Sequence, residues 1–304
     1  MSYLFPMILI AIVVSMASSL LGTFLVLRGA AMVSDAITHT VLLGIVLAYF
    51  VVHDLDSPFL MLGATLVGLL TVWLIELVSK SKLINYDGAI GVVFPFLFGL
   101  AIILLTQYAS GTHLDVDAVL MGELGFAPFN RLIINGVDLG PVALVRMSII
   151  LVINILFVTI FYRQLKITTF DPGFARSIGI SPSKYYYALM TLVSLTAVGS
   201  YEAVGSVLVV GFVVGPALAG YMLSDDLKHI IGLAMVFSVL NSVIGVYLAY
   251  QFDTTFAGMI AVVIGVTTML TMVFSPKKGL VRKLGKSKSY SESSAWLSSL
   301  GLID

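Results

Sequence analysis

The most specific chemistry in this chain rests on two residues in an otherwise apolar stretch. Asp35 and His39 stand in the run Val33-Ser34-Asp35-Ala36-Ile37-Thr38-His39. Residues four apart on a helix share one face, so a carboxylate oxygen and an imidazole nitrogen can meet a single divalent cation. Ser34 and Thr38 form a second polar pair at the same spacing. An ionisable group inside a hydrophobic span costs about 3 kcal/mol or more, and so asks for a function or a partner. The competing reading is an Asp–His hydrogen bond that only holds packed helices together, and spacing alone leaves both open. Two ligands do not complete a coordination shell. A symmetric dimer would bring two Asp and two His to its axis.

The remaining ionisable groups have plainer explanations. Glu76 and Asp87 lie close to Lys80 and Lys82 in sequence, and interfacial pairing accounts for them. Glu202 sits near a span end, where it can reach water, and His53 and His229 also fall at span ends. His113, Asp115 and Asp117 read as a solvated acidic loop rather than a metal site. Scattered Met and aromatic residues read as packing and lipid-facing material.

A third constellation offers docking rather than ligation. Asp171-Pro172 predicts an N-cap followed by proline at the first helical position, and Gly179 ends that short helix about two turns later. Ser181-Pro182 opens the next helix in the same way. The short helix carries Phe174 and Arg176, one apolar anchor and one planar, fork-shaped donor.

These groups must be positioned by a membrane-spanning scaffold. Of 304 residues, 59% are apolar and only 11% charged, with a mean hydropathy of +1.08. No single water-soluble globule hides that much apolar surface, and a disordered or nucleic-acid-binding chain would need far more charge. The 16 basic and 16 acidic residues cancel, and no cysteine is present, which excludes disulfides and thiolate chemistry. Apolar runs predict an all-α polytopic transmembrane helical bundle of about eight to nine spans. They fall at 5–28, 34–53, 57–79, 87–107, 142–162, 184–203, 205–223, 230–250 and 256–274. Gly205 alone separates the sixth from the seventh. The first run lacks a basic n-region and a cleavage site, so it is expected to be a retained helix.

Fourteen of the 16 basic residues fall on one side if the N-terminus is outside. That places Arg28, Lys80, Lys82, Arg163, Lys166, Arg176, Lys184, Lys228 and the basic tail in the cytoplasm. The organisation expected is a transmembrane domain over 1–276, with an outer segment at 108–141, an inner segment at 163–183 and a basic, Ser-rich tail at 277–304. The tail holds Gly285-Lys286-Ser287, but a Walker A loop would need glycine at 280, where Leu280 stands.

With these residues in view, the chain resembles the manganese/zinc/iron permease family of ABC-type importers. The resemblance is carried by Leu27-Arg28-Gly29 leading into Ser34–His39, Asp87-Gly88-Ala89-Ile90-Gly91, Leu114–Gly122, Phe170-Asp171-Pro172 through Gly179, and Val204–Val209 through Gly215-Pro216-Ala217. It implies a non-enzymatic transport subunit with no permanently bound cofactor. Such a subunit works with a second permease copy, identical or a sister, and with separate cytoplasmic ABC ATPase subunits. An extracellular solute-binding lipoprotein delivers the ion. It further implies that Asp35 and His39 contact the passing metal, and that Asp171, Phe174, Arg176 and Gly179 belong to the ATPase-coupling helix. The expected place is the plasma membrane of a bacterium. Thr38, where serine is common, and the longer Ser-rich tail depart from the family pattern. Hard oxygen with imidazole, and no cysteine, favours Mn²⁺, with Zn²⁺ and Fe²⁺ open. A secondary, ion-coupled metal transporter is the alternative, although no internal repeat is evident. An intramembrane protease is disfavoured by the lack of an HExxH motif and of a cysteine.

Overall fold

The computed structural model describes residues 4–54, 57–108, 124–134, 137–276 and 278–279. The candidate groups His113, Asp115 and Asp117 and the tail from 280 onward lie outside the described residues, as does the side chain of Glu202. Among the described residues, ten helices and one hairpin follow in chain order. They are α1 (Leu4–Leu27), α2 (Ala31–Val52), α3 (Pro58–Lys80), α4 (Tyr86–Tyr108), β1 (Arg131–Ile134), β2 (Val137–Pro141), α5 (Val142–Ile160), α6 (Tyr162–Phe170), α7 (Pro172–Ser177), α8 (Pro182–Leu223), α9 (Leu227–Phe252) and α10 (Phe256–Phe274). Among the described residues, 8 stretches are helical, long and apolar enough to cross a membrane. In hydrocarbon a helix satisfies its backbone groups within one segment, which is why long apolar runs take this form.

Local chemistry sets the joints. Gly29, at φ +69°, turns α1 into α2, with Gly29 N–H donating to Val26 O at 3.1 Å and Ala30 N–H to Leu25 O at 2.9 Å. Ser57 caps α3 by accepting from the Phe59 N–H, and proline occupies the first turn of that helix.

The long α8 is two arms. Gly205 interrupts it with φ 76° and ψ 163°, a backbone region that only glycine enters readily. Ala197 and Val213, sixteen residues apart, would be separated by about 24 Å on a straight helix. Both instead line one small cavity with Ser18 and Leu21 of α1. The chain therefore reverses at Gly205. Tyr186, at the start of the first arm, stacks near Arg28 after α1, while the second arm finishes at Leu223, just ahead of Lys228, which reaches the ring of Tyr162 after α5. The first arm is not among the 8 stretches apolar enough to cross a membrane, and it packs back beside the second arm against α1.

α1 and α8 form the centre. α8 packs against α1, α2, α3, α5, α9 and α10. Small residues let the backbones close: a Cβ on Gly22 would collide with the Val213 carbonyl, and one on Gly44 would meet Ala64 Cα at 2.5 Å. Buried polar side chains tie the helices together. Ser19 Oγ and Ser238 Oγ lie 2.7 Å apart, Thr71 Oγ1 donates to Thr40 Oγ1 at 2.8 Å, and the Asn154 amide donates to Thr196 Oγ1 at 2.9 Å and to Ala17 O at 3.2 Å. At the end of the bundle opposite Arg28, β1 and β2 pair antiparallel, and Arg131 meets Asp138 at 2.9 Å. This hairpin lies within the 108–141 segment, where no element was expected.

Candidate functional site

Asp35 and His39 sit on the second and third turns of α2, about 6 and 12 Å along its axis from Ala31. The helix turns its apolar residues Val33, Ala36, Ile37 and Val41 into the core, each at most 1% exposed. The two ionisable groups are left on the adjoining, half-buried stripe. Ser34 and Thr38 do not add free hydroxyl donors beside them. Ser34 Oγ donates to Ala31 O and Thr38 Oγ1 to Asp35 O, each at 2.7 Å.

His39 Nε2 stands 3.5 Å from Asp35 Oδ1. That is beyond the ordinary length of a hydrogen bond, so the pair is adjacent without being closed on itself. Metal bonds of about 2.1–2.2 Å to both atoms would meet at roughly 105–113°, an angle that tetrahedral coordination accepts. His39 Nδ1 is buried and finds no hydrogen-bond partner among the described residues. The imidazole is held by two rings of α4: Phe94 at 5.2 Å and Phe98 at 5.7 Å between centroids. They flank Pro95, which removes one backbone hydrogen bond from α4 at that level. Phe94 and Phe98 were not distinguished from general packing material in the sequence; their spacing of four is the signal that pairs them. No group of three or more Asp, Glu, His or Cys gathers anywhere among the described residues. A third Asp, Glu, His or Cys ligand would have to come from outside the described residues.

Of the other charged candidates, Glu76 is paired as expected. Glu76 pairs with Lys80 at 3.3 Å and also accepts from the Tyr187 hydroxyl. His229 is exposed and lies 3.0 Å from Asp226, and His53 closes α2 in a left-handed conformation.

The short helix capped by Asp171 folds as its residues predict, whereas Ser181 precedes Pro182 at the start of α8 without a side-chain capping bond. Asp171 Oδ1 accepts from the Phe174 N–H at 2.8 Å, and Pro172 begins the six-residue α7. Gly179, at φ +80°, ends it. Ile180 N–H reaches Ala175 O at 2.9 Å, and Gly179 N–H reaches Arg176 O at 3.1 Å. Ala175 is fully buried, while Phe174 is 53% and Ile178 48% exposed, with Arg176 exposed between them. The result is a rigid knob with an apolar edge and one planar cation.

Beside the knob stands a long-range contact that sequence reading missed. Arg28 donates through Nε to Thr169 Oγ1 and through Nη2 to Thr168 Oγ1, both at 3.0 Å. Its guanidinium also lies 5.9 Å from the Tyr186 ring centroid, and the Tyr186 hydroxyl is 3.0 Å from that of Tyr86. The Arg28–Thr169 pair spans 141 residues of sequence, a separation that no local pattern reports.

Residues 1–275 match the ABC 3 transport family. The manganese transport system membrane protein MntD of Bacillus subtilis (strain 168) is 40% identical over 272 residues, covering 90% of this chain and 92% of that protein. The zinc transport system membrane protein TroD of Treponema pallidum (strain Nichols) is 43% identical over 276 residues, covering 91% of this chain and 75% of that protein. Among solved structures, PsaBC from Streptococcus pneumoniae in complex with Fab superposes with a TM-score of 0.75 at 28% identity, covering 91% of this chain and 94% of that one.

Proposed function

The chain belongs to the ABC 3 transport family and is a multi-pass membrane protein, and from that premise we propose that it is the permease subunit of an importer for a divalent transition metal ion. Asp35 supplies an anionic oxygen and His39 a neutral nitrogen to the ion as it passes. Manganese(II) is the first choice, because hard oxygen with imidazole and a chain without cysteine suit it. Zinc and iron(II) accept the same donors, and the relatives named above include both a manganese and a zinc system. A second permease copy completes the ligand set across the dimer axis.

The energy comes from a separate cytoplasmic ABC ATPase that grips the knob through Phe174 and Arg176, with Asp171 and Gly179 keeping the knob rigid. A solute-binding lipoprotein presents the ion on the far side. The N-terminus is then outside and the tail in the cytoplasm of a bacterial cell. This orientation agrees with the gathering of Arg28, Lys80 and Lys228 at the end of the bundle that bears the knob.

The observation that carries the reading is the state of the Asp–His pair. The two groups are poised at 3.5 Å with one imidazole nitrogen unpartnered, rather than locked in a short hydrogen bond. Asp35→Asn separates the alternatives. It keeps the shape and the hydrogen-bonding capacity but removes the anionic ligand. Metal uptake, followed with radioactive manganese and with zinc in competition, should fall by about a hundredfold or more. Even partners behind a ligand cost ten- to a hundredfold when lost. Wild-type uptake by an Asp35→Asn protein of normal abundance refutes the ligand assignment.

A further inference from the structure

Among the described residues, the side-chain hydrogen bonds that tie residues 162–177 to the rest of the bundle are the two donated by Arg28 to Thr168 and Thr169. These threonines end α6, two and three residues before the cap of the knob. On its other side Arg28 directly follows α1, and only Gly29 and Ala30 separate it from α2. The Gly29 turn and the Ala30 N–H to Leu25 O bond fix the backbone directly ahead of Ala31. Asp35 follows Arg28 by seven residues. One guanidinium thus bridges the two functional parts of the molecule, with its side chain on the knob's stem and its backbone at the root of the Asp–His helix.

Its partners are unusual for a half-buried cation. Among the described residues Arg28 meets two hydroxyls and the face of Tyr186, and no carboxylate. Burial pulls its pKa below the ordinary value, and Tyr186 opposes that in part. Two hydroxyls accept from a planar fork in one orientation only, which makes the link directional. Lacking an ion pair, the link is also shallow enough to break and remake as helices shift. The knob itself contributes little else to its own anchorage: α7 packs chiefly on α6, and its larger side chains point outward.

We infer that Arg28 is the positioning residue that carries movement of the Asp171–Gly179 knob to α2, and through it to Asp35 and His39. The inference rests on the transporter reading above. In physical terms, the knob and the metal stripe are two sites whose coupling runs through one fork and two threonines. Removing the fork should leave both sites intact and sever their communication.

The test uses the whole complex, with its own ATPase and binding protein, in proteoliposomes. Three quantities are read: ATPase association, ATP hydrolysis, and manganese moved per ATP. Arg28→Lys keeps the charge but not the fork, and Thr168→Val with Thr169→Val removes both acceptors at nearly constant volume. Each should lower manganese moved per ATP by about tenfold, within the usual range of coupling between sites, while ATPase association is retained. Combining them should lower it no further, because they break the same link. A normal transport ratio in the threonine variant overturns the inference, as does an additive loss in the combination. Loss of ATPase association in the threonine variant also overturns it, by showing that the contact only holds the knob in shape. A wild-type complex that moves no metal refutes the transporter reading, and this inference with it.

Discussion

Gly44→Ala tests whether the α2–α3 seam sets the position of the Asp–His stripe. A Cβ built on Gly44 would lie 2.5 Å from Ala64 Cα, 2.7 Å from Gly63 O and 2.9 Å from Ala64 N. Ordinary contacts between such atoms need about 3.5–4.0 Å, so α2 and α3 must part by about 1 Å. Every obstructing atom is backbone, and no rotamer change relieves the overlap. Overpacking costs about 1–3 kcal/mol. Replacing glycine by alanine within a helix returns about 0.5–1 kcal/mol, leaving a net loss centred at about 1 kcal/mol and at most about 2.5 kcal/mol. The same parting stretches the 2.8 Å Thr71–Thr40 hydrogen bond, one residue beyond His39. Purified protein in detergent should therefore melt several degrees lower than wild type, roughly 2–8 °C on the scale of soluble domains. Manganese uptake should fall as well. Gly232→Ala is the control, because a Cβ there meets nothing within 4 Å. Gly63→Ala provides a contrast on the same seam. Its nearest obstacle is the Ala48 Cβ at 2.7 Å, so a further Ala48→Gly change should recover part of the loss, whereas side-chain truncation cannot rescue Gly44→Ala. A Gly44→Ala protein that melts as high as Gly232→Ala refutes the close approach of α2 to α3.

Two further outcomes follow from local geometry. Gly205→Ala places a side chain at φ 76° and ψ 163°, where the strain is of the order of 1–3 kcal/mol, so the yield of monodisperse protein extracted from membranes should drop; an unchanged yield would contradict the reversal between the arms of α8. Asp171→Ala removes the acceptor for the Phe174 N–H and about 1 kcal/mol of helix capping, so protease should cut within 163–183 faster and the ATPase should be captured less well; equal cleavage rates in Asp171→Ala and Asp171→Ser would argue against the cap.

The scaffold was legible in the sequence because membrane spans are specified by composition over about 20 residues, a property each segment carries alone. The predicted runs coincide with α1 to α5 and α8 to α10 within a few residues at most boundaries. The break at Gly205 was the faintest of the boundaries, since one residue without a Cβ is all that separates two apolar runs there; the backbone at φ 76° and ψ 163° settles it. The capped knob was readable for a similar reason: Asp171, Pro172 and Gly179 act on backbone groups three or four residues away. So was the Asp35–His39 adjacency, which needs only the pitch of one helix.

What the sequence by itself determined, then, is what neighbours along the chain govern: the helical class, the succession of apolar spans, the Asp171 cap and the Asp–His face. Tertiary structure alone decided the rest. It closed Phe94 and Phe98 on the His39 ring, and it set His39 Nε2 3.5 Å from Asp35 Oδ1. It joined Arg28 to Thr168 and Thr169 across the bundle, and it folded a hairpin from strands of 4 and 5 residues, too short to announce themselves. These contacts depend on which helix face meets which. Inside a membrane that choice is made by close packing at small residues such as Gly22 and Gly44 and by a few buried hydrogen bonds, not by hydrophobic pattern, because every face of a span is apolar.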